Sequence, residues 1–214
     1  MRYAVLILLL CAATSRAQQS AVPTAHEMQQ TLRPHPAFVP PVTEGIGRTA
    51  DRERTHVVFG YHPYWIADSV TLHYDFSLLS HLAYFSAEVD PATDEMRSVH
   101  GWPDIAVLDR ATAAGVKVQL AVTNFGAAGN RSLLSSQAAR DTLVRRIVTL
   151  LRQRDAHGVS IDFEAVPGDQ RRNLTAFFAM LDAALAAELP GAEISAAVPA
   201  VDWNDAWDLT ALRA

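Results

Sequence analysis

Asp162 and Glu164 stand one residue apart in the stretch His157-Gly-Val-Ser-Ile-Asp-Phe-Glu164. In an extended chain side chains alternate between two faces. Val159, Ile161 and Phe163 therefore share an apolar face, while Gly158, Ser160, Asp162 and Glu164 share the other. Two carboxylates on one inward strand face cost free energy unless they are bonded or used. The chemistry they suit is proton donation to a poor leaving group. A glycosidic oxygen departs only when protonated, and a carboxyl kept in its acid form by burial and a neighbouring like charge can supply that proton at neutral pH. Acids tied to buried arginines, or lying on a solvated edge, would show the same spacing without any chemistry.

Aromatic rings are the second resource, because sugars present apolar CH faces that pack on open rings. Tyr61 and Trp65 bracket the end of the first expected strand, and Trp203 follows the last; Tyr64 and Trp102 are further candidates. For each of them ordinary core packing is an equally good reading. Asn124, expected to end the third strand, could bond a sugar hydroxyl or tie down the following loop.

Other chemistries lack their residues. The net charge of −5 and the absence of a basic stripe argue against nucleic acid. Cys11 is the only cysteine, and no His-Glu-x-x-His or comparable cluster occurs, so neither a metal nor a cofactor is expected. His157 is expected at the start of its strand, away from the acids, as a packing residue. No Gly-x-Ser-x-Gly elbow and no Gly-rich phosphate loop is present.

The elements that must position these residues alternate in type. Strands are expected at 57–61, 81–89, 117–123, 158–163 and 193–198. A short helix is expected at 75–79, and longer ones at 105–114, ended by Gly115, and at 136–154. The last of these has Leu143, Ile147 and Leu151 on one face, with Arg140, Asp141, Arg145 and Arg146 expected outside. Asp169 is the expected N-cap of a helix carrying Leu174, Phe177, Phe178, Leu181 and Leu185. Such alternation implies a parallel sheet with helices on its faces. A doubly wound sheet and a (β/α)8 barrel both fit this alternation; acidic and aromatic residues collect at the C-terminal strand ends, where a barrel builds its site. A full barrel takes about 250 residues, so about five of eight strand–helix units are expected in residues 55–214, and activity is expected of a longer parent rather than of this stretch alone.

Arg2 followed by an apolar run to Ala13 and small residues at Ser15 and Ala17 reads as a signal peptide over residues 1–17, too short to span a bilayer. Residues 18–54, broken by Pro23, Pro34, Pro36, Pro40 and Pro41, read as a leader or linker. The expected location is secreted, periplasmic or cell-envelope, with no membrane span after cleavage. Nothing in the sequence sets an oligomeric state.

The acidic stretch resembles the glycoside hydrolase family 18 signature Asp-Gly-x-Asp-x-Asp-x-Glu, with Gly158, Asp162 and Glu164 matching and His157 and Ser160 replacing aspartates. Phe59-Gly-Tyr-His-Pro-Tyr-Trp65, Leu78-Leu-Ser-His-Leu-Ala-Tyr-Phe-Ser86 and Val122-Thr-Asn-Phe-Gly126 are similar, in the same order, to bacterial members that trim spore cortex and peptidoglycan. The resemblance implies a TIM barrel, Glu164 as general acid/base, and Asp162 orienting a substrate acetamido group that acts as nucleophile, with Ser160 in support. It implies polymers containing β-1,4-linked N-acetylglucosamine as partners, with chitin and peptidoglycan both open. A glycan-binding, lectin-like barrel without turnover is the alternative, disfavoured by retention of Glu164.

Overall fold

The computed structural model describes residues 56–90 and 92–213. The expected signal peptide and leader lie outside the described residues. The strands are β1 (Phe59–Pro63), β2 (His81–Val89), β3 (Met96–Ser98), β4 (Lys117–Phe125), β5 (Gly158–Glu164) and β6 (Glu193–Ala196). The helices are α1 (Asp68–Thr71), α2 (Ala106–Ala113), α3 (Ala127–Ser135), α4 (Gln137–Arg154) and α5 (Arg171–Glu188). Five strands pair in parallel in the order β1-β2-β4-β5-β6, and β3 adds antiparallel to the end of β2. All five expected parallel strands are present, although β1 begins two residues later than expected and β4 runs on to Phe125. The hairpin strand β3 and the helices α1 and α3 were not expected, since each is short and has little periodicity to read. No helix among the described residues is long and apolar enough to cross a membrane.

The two faces of the sheet differ sharply. Val118, Leu120 and Val122 of β4, with Val159, Ile161 and Phe163 of β5, are buried in one large core with Leu143, Ile147, Leu174, Phe177 and Leu181 of the helices. The five apolar residues expected on α5 are its buried set. On the opposite, inner face a small cluster of Ala83, Phe85 and Ala121 is flanked by Phe59, Trp65 and Phe125. The alternation read from the acidic stretch therefore sorts its side chains as expected.

Two local expectations are corrected. Arg140 is buried at 8% exposure, because its guanidinium turns back to donate to the Leu134 carbonyl between α3 and α4. Asp169 does not cap α5: it sits in a 3-10 turn (Gly168–Gln170), and its carboxylate accepts from Arg131 at 3.1 and 3.2 Å. Ser136, by contrast, does cap α4, its hydroxyl accepting from the Ala139 amide at 3.2 Å.

The N-terminal end of the inner face is closed by polar pairs. Glu193 accepts from Lys117, and its other oxygen lies 2.8 Å from His81 Nε2. Ser195 donates to Gln119 at 2.7 Å. These contacts reach across β5 at Gly158, which lies in register between Gln119 and Glu193. A Cβ at Gly158 would stand 2.1 Å from the Glu193 carbonyl oxygen. His157 takes part in the same end of the sheet, its Nδ1 accepting from the Val118 amide at 3.1 Å. It lies at the end of β5 remote from the acids.

On the helix side of β1, His62 is 2% exposed and meets the Tyr74 hydroxyl at 3.2 Å. Burial lowers its pKa to about 4; the Asp68 charge opposes that shift and the Arg110 charge adds to it. The imidazole is thus neutral in the folded chain while the unfolded chain takes up a proton near pH 6.5. Stability present above that pH is lost as the pH falls toward 4. Denaturant midpoints measured across this window should fall less steeply for His62→Gln, which keeps a polar partner for Tyr74 and cannot titrate. Parallel curves for the two proteins would refute the assignment.

Candidate active site

The site is built at the C-terminal end of β5. Alternating β-branched and aromatic residues on the helix side anchor the strand, which leaves Ser160, Asp162 and Glu164 on the inner face. Ser160 is 0% exposed and Asp162 1%, whereas Glu164 is half-buried at the rim. Asp162 lies in register with Thr123 of β4, and Glu164 with Phe125. Immediately after the acid, Ala165 takes φ 60°, a left-handed backbone that turns the chain out of the strand and costs an alanine about 1–2 kcal/mol.

Hydroxyl groups share the inner face with the buried carboxylate. The Tyr61 hydroxyl lies 3.0 Å from the Ser160 hydroxyl. Burial pushes the Tyr61 phenol up; the Ser160 bond works against this, and the nearby Asp162 charge adds to it. Tyr61 therefore stays protonated and can donate. The Thr123 hydroxyl, on a residue 3% exposed, lies 3.4 Å from both the Ser86 hydroxyl and the Ala87 carbonyl and has one hydrogen to donate between them. The inner face beneath Glu164 thus carries hydroxyl groups beside the apolar Phe85 cluster.

A cleft of about 360 Å³ opens beside the acids, lined by Asp162, Glu164, Val198, Val201, Trp203 and Trp207 among others. That volume is at the small end of ligand-binding clefts. Trp203 is 88% exposed on its wall. Its loop is anchored at several points. Asn204 donates to the Val166 carbonyl at 3.2 Å, and Asp202 accepts from the Ala206 and Trp207 amides at 3.1 and 2.7 Å. Arg171 donates to Asp205 at 2.6 Å. The loop packs so closely on the turn after β5 that a Cβ at Gly168 would lie 2.0 Å from the Asn204 carbonyl oxygen.

The residues singled out from the sequence thus fall into three groups. Asp162, Glu164 and Trp203 line one cleft. Tyr61 joins Ser160 on the same inner face, and Trp65 packs beside the Phe85 cluster with its ring edge-on to Phe85, centroids 5.8 Å apart. Asn124 belongs elsewhere: it shares the parity of Val118, Leu120 and Val122, is 1% exposed, and lies on the helix side of β4. Because β4 runs to Phe125, Thr123 takes the inner position beside Asp162 that a sugar-binding Asn124 would have needed. Trp102 is a core residue, 4% exposed, whose indole donates to the Leu150 carbonyl at 2.8 Å.

Sequence reading missed another buried acid. Glu88, 8% exposed at the end of β2, accepts from Arg97 and lies 2.9 Å from His100 Nε2. Burial pushes its carboxyl up, but the bonds from Arg97 and His100 outweigh this and hold it below the ordinary range. The Tyr64 ring stacks on His100 with centroids 3.4 Å apart. The cluster depends on the β3 hairpin, which gave no readable pattern. Among the described residues no group of three or more His, Cys, Asp or Glu is placed to hold a metal ion.

The acid pair stands at a strand end of a parallel sheet with an exposed tryptophan across a small cleft, and residues 57–213 match the sequence model of Glycosyl hydrolases family 18. The chain belongs to that family. Among curated proteins none matches the chain closely enough to count as a relative. Solved structures similar to this family 18 chain include a chitinase from Bacteroides thetaiotaomicron (20% identity, TM-score 0.60, 70% of this chain and 48% of that one). Another is the spore cortex-lytic enzyme SleL of Bacillus megaterium QM B1551 (18%, 0.62, 72% and 38%). A third is a variant chitinase from Cycas revoluta in complex with (GlcNAc)4 (22%, 0.54, 65% and 45%). At these identities the likeness is one of fold, the (β/α)8 barrel, of which the described residues hold five parallel strands. The chain spans less than half the length of each of these relatives.

Proposed function

We propose that the complete protein is a secreted or cell-envelope glycosidase that cleaves β-1,4-linked N-acetylglucosamine polymers with retention of configuration. The observation that carries the reading is the placement of Glu164 at the rim of the cleft with Asp162 one inner-face position below it. In this reading Glu164 protonates the departing glycosidic oxygen. Asp162 holds the substrate's acetamido group so that its carbonyl oxygen attacks C1, forming an oxazolinium ion and expelling the protonated leaving group. Glu164, now a carboxylate, takes a proton from the water that opens the ring, and is restored. This is the substrate-assisted exception to catalysis by two protein carboxylates. Ser160 and Tyr61 bond to one another beside Asp162 and supply hydroxyl groups to the floor of the site. Trp203 offers an open ring on which a sugar face can stack. The solved family relative that holds (GlcNAc)4 supports this substrate class.

The test is to follow the anomeric protons of the products by NMR as the complete protein acts on chitooligosaccharides and on peptidoglycan. The β-anomer is expected first, with slow conversion to α. An α-anomer released first would overturn the mechanism. Binding of both glycans without any turnover would replace the enzyme by a lectin-like protein.

A further inference from the structure

Glu164 can work only if its carboxyl stands at a fixed distance from Asp162 and from the glycosidic oxygen. Both depend on where β5 ends. Strand ends in a parallel sheet leave carbonyls without ladder partners, and a buried carbonyl must find a donor. Here those carbonyls converge on one side chain. Asn130, 0% exposed within α3, places its amide nitrogen 3.1 Å from the Asn124 carbonyl at the end of β4. The same nitrogen lies 3.1 Å from the Gly126 carbonyl in the turn and 2.6 Å from the carbonyl of Glu164 itself. The Gly126 amide closes the arrangement by donating to the Glu164 carbonyl at 3.2 Å. Gly126 has φ 88°, a conformation open to glycine. Asparagine is a poor residue for a helix interior, so its presence in α3 runs against local preference.

Resting on the function proposed above, we infer that Asn130 is the positioning residue of Glu164. It holds the acid's own backbone carbonyl to the end of the neighbouring strand, and so sets the height of the carboxyl above Asp162. It touches no substrate; it acts through the backbone. Displacing a catalytic group by about 1 Å can cost about a hundredfold in rate.

Asn130→Ala removes the donor and should lower kcat on chitooligosaccharides about tenfold to a hundredfold with KM changed less than about twofold. Asn130→Gln keeps an amide one methylene further out and should fall between Asn130→Ala and the wild type. Leu134→Ala, at a 0% exposed core position of the same helix, is the stability control. It should lower Tm at least as much as Asn130→Ala while keeping kcat per folded molecule near wild type. The inference is overturned if Asn130→Ala or, should that variant not fold, Asn130→Gln keeps wild-type kcat. It is equally overturned if Leu134→Ala loses kcat to the same degree. Glu164→Gln separates the two readings: if it retains turnover, the proposed function fails. If it is inactive while the Asn130 variants are not, only the positioning role fails.

Discussion

Glu164→Gln is expected to lower kcat on chitooligosaccharides about a thousandfold, or ~4 kcal/mol of barrier, while leaving oligosaccharide binding nearly unchanged. Glutamine has the size of glutamate and keeps an acceptor and a donor, but its amide is far too weak an acid to protonate a leaving oxygen. Its backbone would still be held by the Asn130 and Gly126 bonds, and its neighbours Asp162, Trp203 and Trp207 would still line the cleft. The loss therefore belongs to the transition state alone, and KM should move little. Single-turnover rates beside isothermal titration of a chitooligosaccharide make the comparison on one preparation. Turnover within tenfold of wild type would remove Glu164 from the acid role.

The second large effect lies at the other end of the same strand. Gly158→Ala should destabilise the fold by about 3 kcal/mol or more, lowering Tm by roughly 6–12 °C. The new methyl would stand 2.1 Å from the Glu193 carbonyl oxygen and 2.9 Å from its amide nitrogen, both parts of a backbone that cannot swing aside. Relief requires β5 and β6 to separate where Glu193 receives Lys117 and His81. Asp162 lies four residues along, about 13 Å away at the rise of an extended chain, so kcat per folded molecule should stay near wild type. Thermal melts and active-site-normalised rates decide it: an unchanged Tm would show that the sheet yields more easily than its geometry implies. These two outcomes together would assign opposite ends of one motif to different tasks, stability at Gly158 and chemistry at Glu164.

How much of this was legible beforehand follows from what each element had to encode. Strand β5 was readable because its two faces meet opposite environments: Val159, Ile161 and Phe163 pack under α4 and α5, while Ser160 and Asp162 face inward. Helices α4 and α5 were readable for the same reason, having long apolar stripes. Asn124 was misplaced because β4 extends two residues past its expected end. Counting in twos from Ala121 would have put Thr123 and Phe125 on the inner face. Arg140 looked like a surface charge, since no sequence pattern announces that a guanidinium will bend toward the Leu134 carbonyl. Asn130 and the Glu88–His100 pair were invisible for a deeper reason. Their partners are backbone atoms or residues brought near by a hairpin, and neither leaves a periodic trace.

The loop that carries Trp203 is fastened at its base, by Asn204 to Val166 and by the close approach to Gly168, while its tryptophan stands almost free. Fastening and contact are therefore separate properties of different residues. What the cleft grips can be rewritten at Val198, Val201 and Trp203 without loosening the turn behind Glu164. For the glycosidase proposed above, substrate preference can therefore drift, or be engineered, one wall at a time, with Glu164 left where it is.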